Sequence, residues 1–163
     1  MAFFFGLLSF SVVFYLIQII LKKNKSFWIA SRNSTSVMFI LIGLMHILKP
    51  EKLTYMIEGI LPFEEVLVII SGIFEIVLGI GLFIPRTRVL SGWLLIVLLI
   101  VMFPANINVA FAQLPPPGGL PASPWYLWSR LLFQPVYIYW VWRSAVKNTT
   151  PPGYKKSSPT IQG

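Results

Sequence analysis

An all-α membrane protein is the fold class this sequence predicts, and three observations predict it. Of 163 residues, 56% are hydrophobic and 11% charged, where a soluble domain carries about a quarter charged. The mean hydropathy is +0.78. The apolar residues fall in runs, most of them long enough to cross about 30 Å of hydrocarbon, and the charges lie mainly between them. A chain this short and apolar cannot hide its side chains in one water-surrounded core, so lipid is its natural solvent and one membrane domain its natural count.

The first run, residues 2–21, is interrupted only by Gly6, Ser9, Ser11 and Gln18. A secretory signal would carry its positive charge ahead of the run and small residues behind it. Here Lys22, Lys23 and Lys25 follow instead, which predicts a retained helix with its N-terminus outside. The second run, 37–48, is too short to span alone and is expected to start near Asn33 or Ser34, with Ser and Thr as caps. It stops at Lys49-Pro50, because the residue before proline disfavours helix. A polar stretch, 51–65, separates it from a third run, 66–84, that ends at Pro85. The fourth runs from 89 to about 112. Residues 113–124, rich in Pro and Gly, read as a loop, and the fifth run is 125–146. The remainder, 147–163, is a basic tail with too few apolar residues to fold alone. The domains are therefore an N-terminal helix in 1–21, a four-helix membrane unit in 33–146 and the tail.

Charge gives a topology of five spans, N-terminus outside and C-terminus inside. It places ten of the thirteen Lys and Arg residues on the inner side, a strong positive-inside bias. Four of the five acidic residues, Glu51, Glu58, Glu64 and Glu65, fall in the first outer loop. The net charge of +8 thus reads as orientation and contact with the lipid bilayer, not as a nucleic-acid surface. With no cysteine and one histidine, the chain holds no disulfide, no thiol-based redox centre and no bis-histidine haem of its own. No metal site and no cofactor motif is evident.

Polar residues at membrane depth are the candidates for chemistry. Glu75 lies mid-run, and a charge there costs about 2.5–3.5 kcal/mol on insertion scales, so it should face the bundle and find a partner. Ser71, Glu75 and Gly79 share a helix face. Pro104 can kink the fourth run, with Asn106 and Asn108 beside the kink. Arg130 and Gln134 share a face of the fifth, and His46 sits near the outer end of the second. Under the five-span topology His46, Glu75, Asn106, Arg130 and Gln134 converge in the outer half of the membrane as one polar pocket, with Glu75 expected to pair with Arg130. Alone, each residue also fits a plainer role: interhelical hydrogen bonding for Glu75 and the amides, packing for His46, snorkelling to the surface for Arg130.

These residues resemble a family pattern. Gly43-Leu44-Met45-His46 followed by Lys49-Pro50-Glu51 resembles the first-helix ending of DoxX-like membrane proteins. Ser71-Gly72 with Glu75 and Leu78-Gly79 through Gly81-Leu82 resembles their second helix, and Pro85-Arg86-Thr87-Arg88 the turn after it. Phe103-Pro104-Ala105-Asn106-Ile107 is similar to the third helix, and Trp128-Ser129-Arg130-Leu131 with Gln134 to the fourth. The similarity covers about 33–144. It departs at Ile47-Leu48, where an aromatic is more frequent, and at Phe133, near which a Pro-Leu pair is common. The resemblance implies a DoxX-type four-helix bundle, to which the first helix is an addition. It also implies a membrane subunit that binds quinone or a similar small molecule and supports a redox complex, working with a redox partner protein or as a homo-oligomer. In that role His46 and Glu75 would handle protons and Arg130, Asn106, Gln134 and Asn108 would bind the ligand. Two other functions compete: a non-catalytic scaffold or assembly factor, and a small-solute or proton pathway. The bundle would sit in the plasma membrane of a bacterial host.

Overall fold

The computed structural model describes residues 2–22, 26–59, 61–114 and 123–147. Residues 115–122 of the expected loop, the expected tail beyond 147, and with them Lys23, Lys25, Lys155 and Lys156, lie outside the described residues. Helices α1 (Ala2–Ile20), α2 (Phe27–Leu48), α3 (Glu64–Phe83), α4 (Arg88–Val101), α5 (Phe103–Phe111) and α6 (Pro124–Val141) follow in order, with no strand among the described residues. Two short 3-10 turns, Pro50–Lys52 and Thr54–Met56, link α2 to α3, and α6 runs into a π-helical turn, Trp142–Val146. Four stretches, Phe3–Ile20, Phe27–Leu48, Glu64–Phe83 and Arg88–Phe111, are long and apolar enough to cross a membrane. Large apolar side chains such as Phe74, Leu90 and Leu132 are more than half exposed, a surface compatible with lipid.

Two helices differ from the sequence expectation. α2 starts at Phe27, not near Asn33 or Ser34. The Ser and Thr residues read as caps are buried inside the helix and give their hydroxyls to backbone carbonyls. Thr35 bonds Ser31 O at 2.8 Å, Ser34 bonds Leu7 O at 2.7 Å, and Ser36 bonds Gly79 O. Such side chains serve a buried helix as well as a cap when a carbonyl is in reach. The fourth run is not one helix but two, broken at Met102. Pro104 sits in the first turn of α5, where its fixed φ and missing N–H suit a helix start and deny a donor to the helix before it.

Neighbouring helices are antiparallel. Ser34 meets Leu7, Ser36 meets Gly79, and Gln134 meets Leu99. α2 is the centre, packed most extensively against α3 and next against α1. α1 is peripheral: 17% of its span is buried, against 44% for α2. Its Phe3 ring packs edge-on to Phe39 at 5.7 Å, so α1 begins well short of the Leu48 end of α2. The core joins Leu7, Phe39, Leu78, Leu82, Leu95, Tyr137 and Val141. The helix order gathers Glu51, Glu58, Glu64 and Glu65 at one end of the bundle and Arg32, Arg88, Arg143 and Lys147 at the other.

Candidate functional site

A close crossing of α2 and α3 carries the first polar centre. Gly43 of α2 and Gly72 of α3 face each other with no room for a side chain. A Cβ on Gly72 would stand 2.8 Å from Gly43 O and 2.7 Å from His46 Cβ. One on Gly43 would stand 3.0 Å from Glu75 Cβ. Small residues let backbones approach this closely, and the approach drives His46 and Glu75 together. His46 Nδ1 is 2.8 Å from Glu75 Oε2, and their exposures are 7% and 2%. Ser71 Oγ stands 3.4 Å from the same nitrogen and donates its hydrogen to Val68 O at 2.8 Å. Ser71 therefore faces His46 as an acceptor, beside the contact of acid and base.

The second centre lies where α6 packs on α5. Arg130 Nη2 donates to Asn106 Oδ1 at 2.8 Å, while Arg130 Nη1 is buried with no hydrogen-bond partner. Tyr55, Tyr126 and Tyr137 are close enough for their charge state to act on the guanidinium. Tyr55, in the linking turn, has its pKa raised above the ordinary 10.0 by burial, against the pull of Arg130. One turn along α6, Gln134 Nε2 donates to Leu99 O at 2.7 Å, in the last turn of α4, where the break leaves carbonyls to be satisfied from outside. Asn108 Nδ2 donates to Met56 O at 2.9 Å, which ties the linking turn to α5. Beside Gln134 a groove of about 430 Å³ opens on the surface, its other walls Ile100, Phe103, Pro135, Ile138, Tyr139 and Trp142.

The single pocket expected from the sequence is thus two centres, and the expected Glu75–Arg130 pair is not formed. The glycine crossing presents α3 to α2, so the base that meets Glu75 is His46. α6 lies against α4 and α5 and delivers Arg130 to Asn106. The involvement of Tyr55, Tyr126 and Tyr137 was not foreseen. Tyr126 and Tyr137 stand four before and seven after Arg130, a helical spacing that could have flagged them, whereas Tyr55 sits in a turn with no periodicity to read. Among the described residues no group of three His, Cys, Asp or Glu could hold a metal.

A family model for a domain of unknown function, DUF8561, matches residues 35–145. The chain belongs to that family. The DUF8561 match begins inside α2 and ends in the π-turn, so it takes in both polar centres and leaves α1 outside. No curated protein and no solved structure matches the chain.

Proposed function

We propose that this DUF8561 protein is a five-span, N-out membrane subunit, similar to DoxX-like proteins, that binds quinone or a similar carbonyl-bearing small molecule in support of a membrane redox complex. The observation that carries this reading is Arg130: a guanidinium in an apolar bundle with one arm on Asn106 and a second buried N–H unanswered. A buried donor without an acceptor is costly, and an arriving carbonyl oxygen relieves it. The adjoining groove supports the reading. Its volume is in the range of small-molecule sites, and its lining is largely apolar, as suits a lipid-soluble ligand. Gln134 borders the groove and stands one turn from Arg130 on the same face of α6.

A bound quinone supplies electron-accepting chemistry that consumes protons. The chain's own part is to orient the ligand carbonyl with Arg130 and Asn106, and to hold a proton at the His46–Glu75 pair. In this reading a partner protein supplies the electrons. The test is extraction of the protein, purified with native lipid in mild detergent, followed by mass spectrometry for quinone. Wild type should retain quinone, and Arg130→Ala, folded by thermal unfolding, should lose it. A folded wild type without quinone overturns the proposal and leaves the scaffold reading.

A further inference from the structure

The two polar centres are unequal in charge. The acidic side chains of the whole chain are Glu51, Glu58, Glu64, Glu65 and Glu75, and all five lie among the described residues. Glu75 is engaged with His46. Glu64 and Glu65 open α3, and Glu51 and Glu58 lie in the connection before it. Among the described residues none of the five pairs with Arg130. What Arg130 has instead is neutral. Its Nη2 donates to the amide oxygen of Asn106 at 2.8 Å, and its Nη1 is buried with no hydrogen-bond partner. The other groups near enough to act on it electrostatically are Tyr55, Tyr126 and Tyr137. Phenols are uncharged at neutral pH, so they bring dipoles and no negative charge.

A guanidinium keeps its proton in proteins, so the charge stays when its surroundings are apolar. A buried charge with no counter-charge is unfavourable, and dipoles offset only part of that cost. A neutral carbonyl would add one more dipole to this centre. An anionic oxygen would add the missing charge, in a low-dielectric setting where the attraction is weakly screened. Hydrogen bonds from a guanidinium to an anionic oxygen are also shorter and about twice as strong as neutral ones. At the α2–α3 crossing the corresponding need is met within the chain, because the buried carboxyl of Glu75 has the imidazole of His46 at 2.8 Å. At Arg130 it is left to the ligand.

We propose that the Arg130 centre takes its ligand as an anion: a lipophilic carbonyl compound with an acidic hydroxyl, bound ionised, in preference to the same compound without that charge. This rests on the small-molecule reading of the centre and narrows the ligand class. Calorimetric titration of the full chain in uncharged detergent micelles at neutral pH tests it with two probes. One is lawsone, a hydroxynaphthoquinone that is ionised at that pH. The other is its methyl ether, which keeps the ring and has no acidic proton. Wild type should bind lawsone about tenfold more tightly, the margin of a charged over a neutral hydrogen bond. Partition into the micelle favours the uncharged ether and so works against this preference. Arg130→Gln, folded by thermal unfolding, should bind the two alike. Wild type binding lawsone no more tightly than the ether overturns the anion preference and leaves the quinone reading standing, whether or not the variant folds. Binding of neither probe overturns both. A preference that survives in folded Arg130→Gln also overturns the proposal, because it would belong to the net charge of +8 and not to this centre.

Discussion

The α2–α3 crossing and the α5–α6 crossing bury comparable polar groups and treat them in opposite ways. At the first, two glycines bring the backbones together and a carboxylate meets an imidazole 2.8 Å away, so acid and base answer each other. At the second, a broken helix meets a proline-containing one. The amides of Asn108 and Gln134 bind backbone carbonyls, and one buried N–H of Arg130 is left over. The difference teaches what a helix crossing does with a buried polar group. A closed, matched crossing contributes to the fold, whereas an open crossing with a surplus donor leaves hydrogen-bonding capacity unused.

The sharpest way to break this comparison is to unmatch the closed crossing. His46→Leu leaves Glu75 buried without its base and should destabilise the fold by about 3–5 kcal/mol, the usual effect of removing one member of a buried pair. The double variant His46→Leu/Glu75→Leu should recover most of that loss, read by unfolding in detergent micelles. A double variant as unstable as the single would mean that the pair is not the unit. Gly72→Ala comes next. Its new Cβ meets a carbonyl and the stem of His46, neither a flexible chain end, and should cost about 1–3 kcal/mol.

The open crossing should be less sensitive in stability and more so in binding. Arg130→Gln is expected to weaken binding of a short-tailed quinone about tenfold, or 1.4 kcal/mol, in a titration with the purified protein. Its stability should change less than that of His46→Leu. Gln134→Leu removes one hydrogen bond and should cost about 1 kcal/mol. The smallest effect concerns Tyr55, whose pKa burial raises. A group with a raised folded-state value favours the fold below its unfolded value and loses that advantage as pH climbs through the folded one. A phenolate absorbance titration of wild type against Tyr55→Phe should therefore show one tyrosine ionising above pH 10.0.

Much of the helical layout was legible in the sequence. The ends of α1 and α3 fall within two residues of the apolar runs, because in such a chain a helix is bounded by charge and by proline, and both are local marks. The break at Met102 has its signal in Pro104, but proline at the start of a new helix and proline kinking one helix have the same local sequence, so one kinked run and two helices read alike. The start of α2 was misplaced because Ser34, Thr35 and Ser36 have two uses, capping or bonding a neighbouring carbonyl. Only the presence of Leu7 and Gly79 alongside decides between them.

The sequence by itself determined that the chain is helical, that its helices are apolar enough to span a membrane, and that Glu75 and Arg130 needed partners. Composition and the desolvation of charge act residue by residue, so they need no neighbour to be read. The tertiary structure decided who the partners are. Gly43 and Gly72 are small residues like others until two backbones are laid against each other, and that contact gave Glu75 to His46 and left Arg130 to Asn106. Pairing depends on which helix faces which, and distances between helices are not written in the order of residues along any one of them.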